Sequence, residues 1–175
     1  MPFTPYHFGP GLLLKGAAPR HVSFLSYCTT QVAIDLESWH YLTGGEPHVH
    51  RILHTFVFGA LAGLAIAGLV WLCGAGVHHL LGRHVSGMSI GTPLPVFRSE
   101  LSLRGVVLGG LLGGVTHALL DGVMHGDVQP LRPFSLANPL YGLIGWKLLH
   151  SACLVAGAVG ALALVSSRRS WRAVS

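Results

Sequence analysis

The sequence predicts an all-α, polytopic transmembrane helical bundle with three to four spanning helices and a short N-terminal helix. Three observations carry that prediction. Of 175 residues, 51% are hydrophobic and only 10% charged, too few polar side chains to cover a soluble globule. From Ile52 to Val77 there is no Asp, Glu, Lys or Arg, a stretch longer than the roughly 20 residues a helix needs to cross hydrocarbon. In a second apolar stretch, Gly105, Gly109, Gly110, Gly113 and Gly114 recur at a spacing that lets helices approach closely. A chain of this length forms one bundle without a separate soluble domain, so residues 1–175 read as a single membrane domain.

The elements follow in order. Thr4 and Pro5 form an N-cap and first-turn pair that opens a short helix over 5–16, which Gly9-Pro10-Gly11 is expected to kink. The first twenty residues carry Pro2, Pro5 and Pro10 and no long apolar core, so no cleaved signal peptide is expected. Residues 21–43 are mostly apolar yet contain Asp35 and Glu37, which makes them either a polar-centred span or a helix buried by its neighbours, ended by Gly44-Gly45. Pro47 opens a helix over 47–81, and the Gly and Pro residues of 82–98 mark a loop. Ser99 with Glu100 restarts the helix over 99–126, and Asn138-Pro139 opens the last one, 139–167, ahead of the basic Arg168, Arg169 and Arg172. Trp39, Trp71, Trp146 and Trp171 lie near segment ends and read as interface anchors.

The formal net charge of +5 comes mainly from arginines at the edges of apolar runs, where they meet lipid headgroups and not nucleic acid. Arg83, Arg98, Arg104, Arg168, Arg169 and Arg172 fall on one side of the membrane, against Arg51, Arg132 and Lys147 on the other. Positive charge collects on the cytoplasmic side, so the 82–98 loop and the C-terminus are expected there, in a multi-pass protein of the cytoplasmic membrane. The three cysteines, Cys28, Cys73 and Cys153, include no C-x-x-C pair and suggest small buried residues, neither a disulfide framework nor a thiolate zinc site.

Twelve histidines in so apolar a chain call for an explanation, because ionisable groups at membrane depth are costly and tend to mark sites. His50 and His54, and likewise His117 and Asp121, stand four residues apart; on a helix each pair shares a face and forms a two-point metal platform. Both pairs fall at the same membrane face. Imidazole with carboxylate and no thiolate suits a divalent metal, zinc first, with manganese or iron as alternatives, and favours an open coordination position over a closed structural site. Asp35 is the preferred further ligand. Glu37, about 200 degrees away on a regular helix, reaches the same place only if the helix ends or bends, and its expected roles are a support behind the ligands, a general base or a solvated charge. His125 and Asp127 read as a polar helix end that could extend the site. His78, His79 and His84 read as interfacial residues, and His150 as a hydrogen-bonded packing residue.

Four places in the chain resemble the predicted membrane-bound metal-dependent hydrolases of bacteria and archaea, a family of small multi-span inner-membrane proteins. They are the early His7, the acidic pair in Ile34-Asp35-Leu36-Glu37, the run His50-Arg51-Ile52-Leu53-His54-Thr55, and Thr116-His117-Ala118-Leu119-Leu120-Asp121 followed by Pro130 to Phe134. The resemblance covers residues 5 to 140. Glu37 stands where the family often has a second Asp, and the His50 to His54 interval is one residue shorter than usual. The resemblance adds His7 to the expected metal ligands, giving His7, Asp35, His50, His54, His117 and Asp121, with Asp35 and Glu37 as expected catalytic carboxylates.

The function this implies is hydrolysis of an ester or phosphoester, possible substrates being a lipid or a lipid-linked phosphate that reaches the site from the bilayer. The alternatives are a non-enzymatic protein that carries metal ions or protons along intramembrane His and Asp, or a haem protein using His54 with His117 or His150. Against transport, the polar groups gather near one face while Gly59 to Leu72 and Gly105 to Val115 are almost uniformly apolar.

Overall fold

The computed structural model describes residues 5–84 and 100–172, with side chains over 5–77 and 100–167. A 3-10 turn, Pro5–His7, leads into α1 (Phe8–Ala17), followed by α2 (Phe24–Thr43), α3 (Phe56–His84), α4 (Leu103–Met124) and α5 (Trp146–Arg172). No strand occurs among the described residues. Three helices are long and apolar enough to cross a membrane, over Phe56–Val77, Leu103–Met124 and Trp146–Ser167. The chain thus forms the expected all-α membrane bundle.

α4 is the central helix: 61% of its span is buried, against 17% for α3 and for α5. It packs between α2 and α3, while α1 lies against α5. The glycines make this packing possible. A Cβ on Gly114 would collide with the Gly59 carbonyl and one on Gly110 with the Gly63 carbonyl, so α3 and α4 meet backbone to backbone. The outer faces carry exposed Leu61, Leu69 and Leu72 on α3, and Leu154, Val155 and Leu162 on α5, which suits contact with lipid tails.

α2 is turned inside out relative to a soluble helix. Its buried side carries Ser26, Tyr27, Thr30, Gln31, Asp35 and Ser38, while Leu25, Leu36, Trp39 and Leu42 are exposed. The polar side chains find partners on α4: Ser26 Oγ donates to the Val106 carbonyl, and Gln31 Nε2 to the Gly113 carbonyl. Apolar surroundings favour this arrangement, because every inward polar group must be satisfied within the protein. Of the two expectations for this segment, a helix buried by its neighbours describes its inner face.

Several element boundaries differ from those read in the sequence, each for a local reason. The third helix begins at Phe56 and not at Pro47, so His50 and His54 lie in an irregular segment ahead of it. The Glu37 carboxylate accepts the backbone N–H groups of Ile52 (3.1 Å) and Leu53 (2.9 Å), and Thr55 caps the helix by accepting from Phe58 N–H. The last helix starts at Trp146, because Asn138 caps a turn instead: its Oδ1 accepts from Leu140 N–H, and its Nδ2 donates to the Gly122 and His125 carbonyls. α4 starts at Leu103 with Ser102 as its cap, and α1 runs unbroken through Gly9-Pro10-Gly11.

Glu100 does not cap its own helix. It pairs with buried Lys15 at 2.6 Å and accepts from Leu25 N–H and Ser23 Oγ, tying the ends of α1, α2 and α4 together. The Thr4 cap, Ser99 and most of the 82–98 loop lie outside the described residues, although 82–84 are helical. The side chains of His78, His79, His84, Arg168, Arg169, Trp171 and Arg172 also lie outside them. Among the cysteines, Cys153 is buried and Cys28 half-buried, but Cys73 is exposed on α3 and so departs from the expectation of a buried residue. Trp39 and Trp146 are exposed near helix ends, whereas Trp71 is exposed midway along α3.

Candidate metal centre

The polar side chains gather at the end of the bundle where α4 finishes. Asp35 comes from the inner face of α2, His54 from the turn before α3, and His117 and Asp121 from successive turns of α4. Each offers one ligand atom, the four atoms lie within 4.8 Å of one another, and all four residues are buried. This buried group of His and Asp is able to hold a metal ion.

Asp121 is the hub. Its Oδ2 lies 3.3 Å from His117 Nε2, 3.4 Å from His54 Nε2 and 4.0 Å from His50 Nε2, while its Oδ1 lies 3.3 Å from His7 Nε2. Asp35 Oδ1 stands 3.6 Å from His117 Nε2. The structure therefore brings together His7, Asp35, His50, His54, His117 and Asp121. The pairing of His50 with His54 does not arise from a shared helix face, since neither is helical; the loop folds their rings to a centroid separation of 4.8 Å.

The partners behind the histidines fix which ring nitrogen faces inward. His117 Nδ1 lies 2.6 Å from Gln31 Oε1, and that amide is oriented by donation from its Nε2 to the Gly113 carbonyl and to Thr116 Oγ1. The oxygen of Gln31 only accepts, so His117 carries its proton on Nδ1 and turns a bare Nε2 lone pair toward the carboxylates. His54 Nδ1 is 3.1 Å from Glu37 Oε2, and His50 Nδ1 is 3.0 Å from Asp127, which imposes the same tautomer on both when neutral. Three imidazole lone pairs thus converge on Asp121, acceptor against acceptor. His117 Nε2 and both ring nitrogens of His7 have no hydrogen-bond partner among the described residues although buried. Such groups are costly to bury unless a cation or an ordered water lies among them.

Glu37 stands behind His54, and both its oxygens are engaged by the backbone of 52–53 and by that ring. It reaches this place from a regular helix, because His54 sits between it and Asp35. Ser38 Oγ lies 3.1 Å from His54 Nε2 and adds a hydroxyl beside the cluster. Gln31 and Ser38 had no part in the sequence reading. Their signal was available in the polar stripe Tyr27, Gln31, Asp35 and Ser38, spaced along one face of α2.

The solvent side of the cluster is an open cavity of about 460 Å³ whose lining includes His48, His50, Arg51, Asp127, Gln129 and Arg132. Arg51 is held by Glu46 at 2.8 Å and lies over the Tyr41 ring, so it braces the loop and does not enter the cluster. Burial raises the Asp127 carboxyl, but the hydrogen bonds and charge of His50 and the backbone N–H groups together outweigh it and hold the group below its usual range. Burial pushes the His125 imidazole down to about 4, leaving it neutral at neutral pH. His150 lies apart from the cluster. It stacks on Tyr6 at 4.2 Å, and its Nε2 has no hydrogen-bond partner among the described residues, where the sequence suggested a hydrogen-bonded packing residue.

No protein-family model, curated protein or solved structure matches this chain.

Proposed function

We infer that the chain is a membrane-embedded metal-dependent hydrolase of the cytoplasmic membrane, acting on an ester or phosphoester that includes lipid-linked substrates. The observation that carries this reading is the convergence of the His54, His117 and His50 lone pairs on Asp121, with Asp35 and His7 completing the set. A mixed nitrogen and carboxylate set favours zinc, with manganese or iron as alternatives. A divalent ion held there supplies a water of lowered pKa and polarises the electrophile.

The residues around it have separable tasks. Gln31 and Glu37 hold His117 and His54 in the tautomer and orientation that binding requires. Asp35 has no hydrogen-bond donor among the described residues, and its carboxylate is the group free to accept a proton beside the cluster. Glu37, with both oxygens occupied, acts as a positioning residue. The apolar outer faces of α3 and α5 keep water from the sides, and the cavity at His50 and Asp127 provides the aqueous entrance.

The test is hydrolysis by the detergent-purified protein of aryl phosphate esters, carboxylic esters and phospholipids. Activity that a chelator abolishes, that added zinc or manganese restores and that His117→Ala lacks is the expected result. A folded, metal-loaded protein that hydrolyses none of these classes contradicts the reading.

A further inference from the structure

We propose that the centre holds a second metal ion on its solvent side, bound by His50, His125 and Asp127. This rests on the reading that the neighbouring buried cluster binds metal, and it goes beyond that reading in site, ligands and stoichiometry.

The three residues offer ligand atoms that lie within 4.8 Å of one another. They come from two segments held in fixed relation. His50 Nδ1 is 3.0 Å from each Asp127 oxygen, and His50 N–H reaches Asp127 Oδ2 at 3.4 Å. The turn that carries His125 and Asp127 is fixed from both ends, by His125 N–H donating to the Asp121 carbonyl and by Asn138 Nδ2 donating to the His125 carbonyl. Preorganisation of this kind is what a metal site requires.

The His125 ring is the telling part. It makes no side-chain hydrogen bond or ion pair among the described residues, and it stacks on His50 with centroids 4.3 Å apart. Packing alone would be served as well by an apolar side chain. An imidazole there brings a nitrogen donor to the same place as a carboxylate and a second imidazole. The set has two nitrogens and one carboxylate, suits zinc, manganese or iron, and leaves further coordination positions open to the cavity.

His50 joins the two groups. Its Nε2 faces Asp121 at 4.0 Å while its Nδ1 faces Asp127; an outer ion would take Nδ1 in place of the proton held there, the ring proton then standing on Nε2 toward Asp121, so the inner ion is left to Asp35, His54, His117 and Asp121. The inner group is buried, whereas the Asp127 side chain is 25% exposed, so the outer ion is the one that exchanges with solvent.

The experiment is metal content per chain of the detergent-purified protein after equilibration with zinc and removal of excess, for wild type, His125→Ala, His125→Gln and His117→Ala. His125 is only half-buried, and circular dichroism checks that its variants remain folded. Wild type is expected to hold two ions per chain, and both His125 variants one. A wild type holding one ion, lost in His117→Ala and retained in the His125 variants, overturns the second site and leaves the inner centre standing. A wild type holding none removes both.

Discussion

Gln31 and His117, 86 residues apart in sequence, are joined by a 2.6 Å hydrogen bond that sets the chemistry of the centre. The amide oxygen takes the Nδ1 proton, and the opposite nitrogen is left bare 3.3 Å from Asp121. Replacing Gln31 by Leu removes this acceptor while keeping most of the side-chain volume. Metal affinity is expected to fall about 10- to 100-fold, read by competition with a chromophoric chelator. An unchanged affinity would show that the orientation of His117 is set elsewhere.

Glu37 supports the loop before α3 as well as His54. In Glu37→Ala the Ile52 and Leu53 N–H groups lose their acceptor; the exposed Ile52 N–H turns to water, while the half-buried Leu53 N–H costs up to about 1–3 kcal/mol if left unsatisfied. The variant should melt at a clearly lower temperature by tryptophan fluorescence, even with metal absent. If the apo-protein melts unchanged, Glu37 serves the metal alone.

The α3–α4 contact depends on paired glycines. Gly114→Leu places a side chain against the Gly59 carbonyl, whereas Gly76 on the same pair of helices has nothing near its Cβ position. Gly114→Leu is expected to aggregate or elute as a broad species in size-exclusion chromatography in detergent, and Gly76→Leu to behave as wild type. Equal behaviour of the two would contradict the close approach.

Topology provides a separate check. Reporters placed in residues 85–99 and at the C-terminus should both read as cytoplasmic, given the arginines that flank them. Opposite sides would overturn the orientation and put the centre's entrance on the wrong face.

The membrane bundle was legible in the sequence because its signals are local. The charge-free run from Ile52 to Val77 and the glycine spacing of α4 need no knowledge of partners. His117 and Asp121 were legible for the same reason, being one turn apart on a real helix. His50 and His54 share that spacing without the helix, because the Glu37 carboxylate captures the backbone of 52–53 and Pro47 alone does not start one. Gln31 was hidden because a lone Gln acquires meaning only from His117 on another helix. Glu100 looked like a cap for its own segment, yet long-range contacts with Lys15 and Leu25 claim it. Non-local hydrogen bonds therefore account for most of what the sequence left open.

The central claim is that a cation belongs among the His54, His117 and Asp121 donor atoms. The most direct measurement is metal content, by mass spectrometry, of the purified protein and of its His117→Ala and Asp121→Ala variants. The account predicts at least one divalent ion per chain in wild type, lost from the inner site in both variants. A folded wild type that carries no metal, and takes up none from micromolar zinc or manganese, would contradict it.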